Sequence, residues 1–85
     1  MNYFSFSVAP VKVRVLFIKK LLNKLGYNLD ESFKEDKEYK RALKDYQVKN
    51  GFSGICIVSE NVFKSFMDNV PDATTIWKSM KWGEW

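Results

Sequence analysis

The residues of this sequence best suited to chemistry are a group of acids between positions 30 and 38. Two carboxylates can cleave a glycosidic bond when a dry environment raises the pKa of one of them. Here the acids are interspersed with lysines in a hydrophilic stretch, which is typical of a solvated helix start and not of a catalytic pair. The group consists of Asp30, Glu31, Glu35, Asp36 and Glu38.

The single cysteine, Cys56, is the other candidate for reactivity. A cysteine nucleophile needs an activating base, and the sequence contains no histidine. Cys56 is therefore predicted to pack as a small apolar side chain. One cysteine cannot form an internal disulfide, and structural zinc sites use mostly Cys and His ligands. We expect no catalytic residue, no metal site, no cofactor and no enzymatic activity.

Three segments carry apolar residues at the spacing of an amphipathic helix. The first predicted helix runs from about residue 11 to 25, the second from about 36 to 49, and the third from 59 to 70. We expect their apolar stripes to bury one another, and Lys19 to lie on the solvent side of the first helix. The stripes consist of Val15, Ile18, Leu22 and Leu25, of Tyr39, Ala42, Leu43 and Tyr46, and of Val62, Phe63, Phe66, Met67 and Val70.

The helix ends have recognisable signals. Gly26 stands where a left-handed C-cap is needed, and Asn50 with Gly51 ends the second segment. Ser59 is a good N-cap for the third helix, and Pro71 stops it. The loop from residue 28 to 35 is polar, with Phe33 as its anchor and Asp30 as a residue that caps or pins it.

The two ends of the chain are rich in aromatic residues. Residues 2–8 alternate between apolar and polar side chains, which predicts an extended strand. Residues 73–80 have the pattern of one more short helix. The fold class is therefore mainly α: a small three-helix bundle with an extended N-terminal strand and a short aromatic C-terminal tail. We divide the chain into an arm (1–10), a helical module (11–70) and a tail (71–85).

Two phrases of this sequence resemble the peptidoglycan-binding-like domain of cell-wall hydrolases and phage proteins. A helix that ends in leucine–x–x–leucine–glycine–tyrosine is matched by residues 22–27. A helix with alanine–hydrophobe–x–x–aromatic–glutamine that leads into a glycine–hydrophobe turn is matched by residues 42–52. The resemblance covers roughly residues 13–67. The loop between the phrases departs from the family, because Glu31 and Lys34 replace glycines and the segment from Asp30 to Ala42 is two residues longer.

The resemblance implies a non-catalytic module that binds a peptidoglycan fragment in a groove. The residues that match positions around this groove, and that we take as candidate ligand-binding residues, are Tyr27, Asp30, Tyr46 and Gln47. The alternative for Tyr46 and Gln47 is structural, with Tyr46 in the core and Gln47 packed against the following turn.

The aromatic ends suggest a second kind of function. Large apolar side chains that lie together on a surface mark interaction sites, and Trp and Tyr are favoured interface anchors. The candidate interface residues are Phe4, Phe6, Trp77, Trp82 and Trp85. The alternative is that both ends fold back and complete the core. A purely structural subunit of a phage tail or baseplate is accordingly the second functional hypothesis, with other protein subunits as its partners.

Charge and hydropathy limit the remaining partners. The net charge of +4 is a mild bias towards anionic partners, and a small nucleic-acid-binding protein is the third hypothesis. No stretch has the roughly 20 apolar residues of a membrane span, so no membrane partner is expected. Residues 1–8 do not have the pattern of a signal peptide. We therefore expect synthesis in the cytoplasm and a final location in a virion or at the bacterial cell wall.

Overall fold

The computed structural model describes residues 2–82, and these residues form five helices and no strand. The helices connect in the order α1, α2, α3, α4 and α5. Their bounds are Tyr3–Val8 for α1, Val11–Lys24 for α2, Lys37–Lys49 for α3, Glu60–Asn69 for α4 and Ala73–Met80 for α5. The prediction of a mainly helical fold is confirmed.

Helix α2 is the centre of the fold, because it is buried on more than one side. Val13, Phe17, Ile18 and Leu21 are all fully buried, although they do not lie in a single stripe. α3 and α5 both pack against this helix. The burial on several sides explains why residues 11–15 alternate like a strand in sequence and are nevertheless helical.

Helices α3 and α4 begin and end where the sequence predicts. The side chain of Asp36 accepts a hydrogen bond from the Tyr39 N–H at the start of α3, and Ser59 accepts one from the Val62 N–H at the start of α4. Leu22, Leu43 and Phe66 are each fully buried in one core. The expectation that the three main helices share one interior is therefore confirmed.

The N-terminal segment is a short helix, so the strand predicted for it is wrong. Asn2 caps α1 by accepting a hydrogen bond from the Ser5 N–H at 3.0 Å. Tyr3, Phe6 and Ala9 face the core at a spacing of three residues, whereas Phe4 remains exposed. In so short a segment the two-residue period of a strand and the 3.6-residue period of a helix share apolar positions. Packing against the core then favours the helix.

The C-terminal segment forms the predicted short helix, α5, which closes the other side of α2. The Trp77 ring lies edge-on against Phe17 with ring centroids 4.9 Å apart, and Phe6 is 6.2 Å away. Trp82 is half-buried, and its ring centroid lies 5.9 Å from that of Trp77. α1 and α5 thus contribute aromatic rings to one interior. Within residues 2–82, no helix has the length and apolar character that a membrane crossing requires.

Candidate functional site

The ends of α2 and α3 are built by the same backbone motif. At the end of α2, the Tyr27 N–H donates to the Leu22 carbonyl and the Gly26 N–H donates to the Asn23 carbonyl. At the end of α3, Phe52 and Gly51 donate to Gln47 and Val48 in the same pattern. Gly26 and Gly51 have φ values of +103° and +83°, which this left-handed closure requires.

These two helix ends border an open cleft of about 430 Å³. The last residue of α4, Asn69, closes its third side, so the C-terminal ends of three helices meet there. Tyr27 and Tyr46, which the sequence places 19 positions apart, are brought together in this cleft. The lining residues are Leu25, Gly26, Tyr27, Tyr46, Lys49, Asn50 and Asn69.

Tyr27 stands at the rim of the cleft and is tied to α3. Its hydroxyl donates to Asp45 Oδ2 at 2.6 Å, and the same oxygen lies 3.1 Å from the Lys49 ammonium. Burial, the hydrogen bond to Asp45 and its negative charge raise the pKa of Tyr27 to about 12. The bonds from Tyr27 and Lys49 lower the pKa of Asp45. Tyr27 is therefore a neutral hydrogen-bond donor whose proton is already engaged.

Tyr46 contributes one edge to the cleft and its ring to the core. The ring stacks on Phe66 with centroids 4.1 Å apart and an interplanar angle of 7°. Its hydroxyl is 2.5 Å from Ser65 Oγ and accepts a hydrogen bond from Asn69 Nδ2 at 3.0 Å. Tyr46 thus positions the polar lining from within the bundle.

Gln47 does not line the cleft. It is 1% exposed, and both ends of its amide are used. Nε2 donates to the Ile57 carbonyl at 2.8 Å, and Oε1 accepts from the Cys56 N–H at 3.1 Å. The structural alternative for Gln47 is the one observed: it holds the segment between α3 and α4 against α3.

Asp30 also lies away from the cleft and binds Lys19. Lys19 is fully buried, so its expected place on the solvent side of the first helix is wrong. Its Nζ donates to Asp30 Oδ1 at 2.9 Å, to Ser32 Oγ at 3.0 Å and to Asp36 Oδ2 at 3.2 Å. A buried ammonium is tolerated here because three oxygens replace its water.

The Lys19 cluster fixes the loop before α3. Burial alone would lower the pKa of Lys19, but the hydrogen bonds and charges of Asp30 and Asp36 outweigh it and raise that pKa. The hydrogen bond from Lys19 lowers the pKa of Asp30. Because Asp36 is also the N-cap of α3, one lysine of α2 sets both the loop and the start of the next helix. Asp30 pins the loop, as predicted.

The candidate interface residues fall into different environments. Phe6 and Trp77 are 2% and 8% exposed and belong to the core, which is the folded-back alternative. Phe4 is 72% exposed, and Trp82 is half-buried against Trp77. Trp85 lies outside the described residues.

Three cleft residues were not identified from sequence, namely Lys49, Asn50 and Asn69. Each stands at a helix end that sequence signals do locate, since Gly51 follows the first pair and Pro71 lies just beyond Asn69. What sequence does not show is that these ends meet. Residues 2–82 contain no group of three or more acids, cysteines or histidines placed to hold a metal ion.

Cys56 is partly exposed and forms no disulfide within residues 2–82. Its Sγ donates to the Lys40 carbonyl at 3.3 Å, and its φ of +58° is unusual for a side-chain-bearing residue. Cys56 is not among the residues that line the cleft.

No family model, curated protein or solved structure matches this chain. The resemblance to peptidoglycan-binding-like domains therefore rests on the two sequence phrases alone.

Proposed function

We propose that this chain is a non-catalytic binding module whose ligand site is the cleft between Tyr27 and Tyr46, and that the ligand is a peptidoglycan fragment. The observation that carries the proposal is that the two phrases of the resemblance end at this one cleft. Both helix ends that border it, at Gly26 and Gly51, belong to the matched phrases.

The lining of the cleft supports adhesion in preference to catalysis. Tyr27 offers ring surface, and Asn50 and Asn69 offer amide groups, which are the groups that hold sugars and peptide backbones. No carboxylic acid is among the lining residues, and the pKa of Tyr27 is raised to about 12. The lining thus contains no carboxylate, histidine or cysteine to act as a general acid or base.

The test is co-sedimentation of the purified protein with peptidoglycan sacculi. Wild-type protein should be retained, and Asn50→Ala together with Asn69→Ala should reduce the association constant by about tenfold, because each removes one polar contact. The matched control is Asn61→Ala, an exposed asparagine of α4 far from the cleft lining. Failure of the wild-type protein to bind sacculi, with circular dichroism showing an intact fold, contradicts the proposal.

A second candidate function is that of an assembly subunit, for example in a phage tail or baseplate. The observation that favours it is the outer face of α1, where Phe4 is 72% and Val8 is 55% exposed. These residues are four positions apart and therefore lie on one side of the helix. An exposed apolar pair of this kind is suited to a contact with another subunit.

Sedimentation velocity separates the two candidates. An assembly subunit should form multimers that Phe4→Ser with Val8→Ser dissolves, and should not bind sacculi. A wall-binding module should stay monomeric over the same concentration range and bind sacculi whether or not these two residues are replaced.

A further inference from the structure

The polar groups of the Tyr27–Tyr46 cleft differ in how many hydrogen bonds they already make within the protein. Its hydrogen-bond donors are engaged within the protein. The Tyr27 hydroxyl donates to Asp45, Asn50 Nδ2 donates to the Tyr46 carbonyl at 2.8 Å, and Asn69 Nδ2 donates to the Tyr46 hydroxyl at 3.0 Å. The Lys49 ammonium is held by the Asp45 carboxylate at 3.1 Å.

The acceptors of the cleft are much less used. Asn69 Oδ1 receives no hydrogen bond from any residue between 2 and 82, and Asn50 Oδ1 receives only the long one, 3.4 Å, from Asn69 Nδ2. The asparagine amides are held by their nitrogens, and this leaves their carbonyl oxygens available to a ligand. A ligand that donates hydrogen bonds therefore finds unused partners in these two oxygens, whereas one that only accepts must share donors that already have a partner.

The helix dipoles favour the same kind of ligand. Residues at the C-terminal ends of α2, α3 and α4 line the cleft. Each helix carries a partial negative charge of about half an elementary charge at its C-terminus, so a cation is stabilised there. The positive charge of Lys49 is offset by Asp45, which is bound both to it and to Tyr27.

We propose that the cleft recognises its ligand through a protonated amine, with Asn50 Oδ1, Asn69 Oδ1 and the C-terminal ends of three helices as the groups that receive it. This inference rests on the proposed function, and narrows it to wall fragments that carry a free amino group on their peptide. Neutral glycan strands without such a peptide would bind weakly.

The direct test is titration of the ¹⁵N-labelled protein with Nα-acetyl-lysine methylamide, and with the same molecule acetylated on its side-chain amine. The two probes differ in the positive charge of the amine and in the number of hydrogen bonds that its nitrogen can donate. The free amine should shift the amide signals of Tyr27, Asn50 and Asn69, and the acetylated probe should bind at least about tenfold more weakly. Equal binding of both probes would overturn the inference.

A charge change at Asn69 gives a second readout with a predicted sign. Asn69→Asp should strengthen binding of the free-amine probe about threefold to tenfold, and Asn69→Lys should weaken it by a similar factor. Asn61→Asp and Asn61→Lys, at the opposite end of α4, carry the same charge changes away from the cleft and should alter binding by less than about twofold. Equal effects at both positions would show only general attraction and would contradict the inference.

Sacculi distinguish a failure of the inference from a failure of the proposed function. If acetylation of the sacculus amines abolishes retention of the wild-type protein, both hold. If acetylated and untreated sacculi retain it equally, the amine inference is wrong and wall binding stands. If untreated sacculi do not retain it although the lysine probe binds at the cleft, the wall is the wrong source of the amine.

Discussion

At the scale of single residues, three polar side chains do work that belongs to the fold and not to the ligand. Lys19 holds the loop before α3, Gln47 holds the segment after α3, and Tyr46 connects α3 to Ser65 and Asn69 of α4. Each is at least nine-tenths buried and hydrogen-bonded to another segment of the chain. Buried polar groups of this kind stabilise one arrangement of the chain, because any other leaves them without partners.

The Lys19 cluster should make stability depend on acid. The pKa of Asp30 is lowered in the folded protein. Its contribution is therefore present above the ordinary aspartate pKa of the unfolded chain and is lost as the pH falls through the lowered value. We expect Asp30→Asn to be less stable than wild type at neutral pH, and this difference to vanish in acid. Urea unfolding at a series of pH values measures it.

Lys19→Met provides the control for this prediction. Methionine fills most of the space of the lysine stem but cannot bind Asp30. In the Lys19→Met background, Asp30→Asn should therefore change the free energy of unfolding little at any pH. A full effect of Asp30→Asn in that background would show that Asp30 acts through some other contact.

Gln47 should be costly to replace although it touches no ligand. Gln47→Leu keeps the volume but leaves the Cys56 N–H without a partner and removes one bond from the Ile57 carbonyl, which should lower the free energy of unfolding by about 1–3 kcal/mol. Hydrogen exchange of the Cys56 amide should become faster. Arg41→Ala, an exposed position on the same helix, should change stability by less than about 0.5 kcal/mol.

None of these three roles could be predicted firmly from sequence, for one physical reason. Lys19 looks solvent-facing because a charged side chain is almost never fully buried unless it is paired. Its partners lie 11 and 17 positions away along the chain, and only the path of the loop brings them to it. The structural alternative for Gln47 is correct, but its partners also lie in a loop, whose path the sequence does not show.

At the scale of elements, the helix boundaries are determined by neighbouring residues and could be predicted from sequence. Asp36 and Ser59 act as N-caps, and Gly26 takes the left-handed φ at the end of α2. These signals depend on a few neighbouring residues. The exception is α1, where six residues are too few for periodicity to separate helix from strand, and packing of Phe6 on Phe63 decides.

The connector between α3 and α4 offers a test of close packing at the element scale. Gly54 has a φ of +69°, and a methyl group added there would lie 3.0 Å from Val48 Cγ2 and 3.3 Å from Lys44 Cγ. Gly51 has a similar φ of +83° but open space around it. Gly51→Ala should cost about 1–2 kcal/mol through backbone strain alone, and Gly54→Ala should cost more.

The excess at Gly54 should depend on Val48. In a Val48→Ala background the added methyl group loses its closest contact, and only the flexible Lys44 side chain remains near it, so the penalty of Gly54→Ala should fall towards that of Gly51→Ala. Thermal or urea unfolding of the four variants gives this coupling. A penalty that is unchanged by Val48→Ala would mean that the connector moves away and that its packing on α3 is loose.

At the scale of the whole molecule, the ends of the chain complete the core. The rings of Phe6, Phe17, Phe63 and Trp77 form a continuous cluster that joins α1, α2, α4 and α5. A chain of 85 residues has little apolar surface to bury, so the short helices at its ends supply a large share of the interior. The aromatic surplus seen in the sequence is thereby largely accounted for.

Phe6 and Phe4, two positions apart in α1, should contribute very differently to the stability of the protein. Phe6 is 2% exposed and its ring lies 5.0 Å from that of Phe63, whereas Phe4 is 72% exposed. Phe6→Ala should lower the free energy of unfolding by about 3–5 kcal/mol, because it leaves a cavity among four aromatic rings. Phe4→Ala should change it by less than about 0.5 kcal/mol.

Since Phe6→Ala removes much of the stability expected of so small a domain, Phe6→Leu serves as a milder variant, with a loss of about 1–2 kcal/mol. Urea unfolding at low protein concentration measures the free energy of unfolding of the monomer. If Phe6→Leu left that stability unchanged and only reduced self-association, Phe6 would be an interface residue and α1 would not belong to the core.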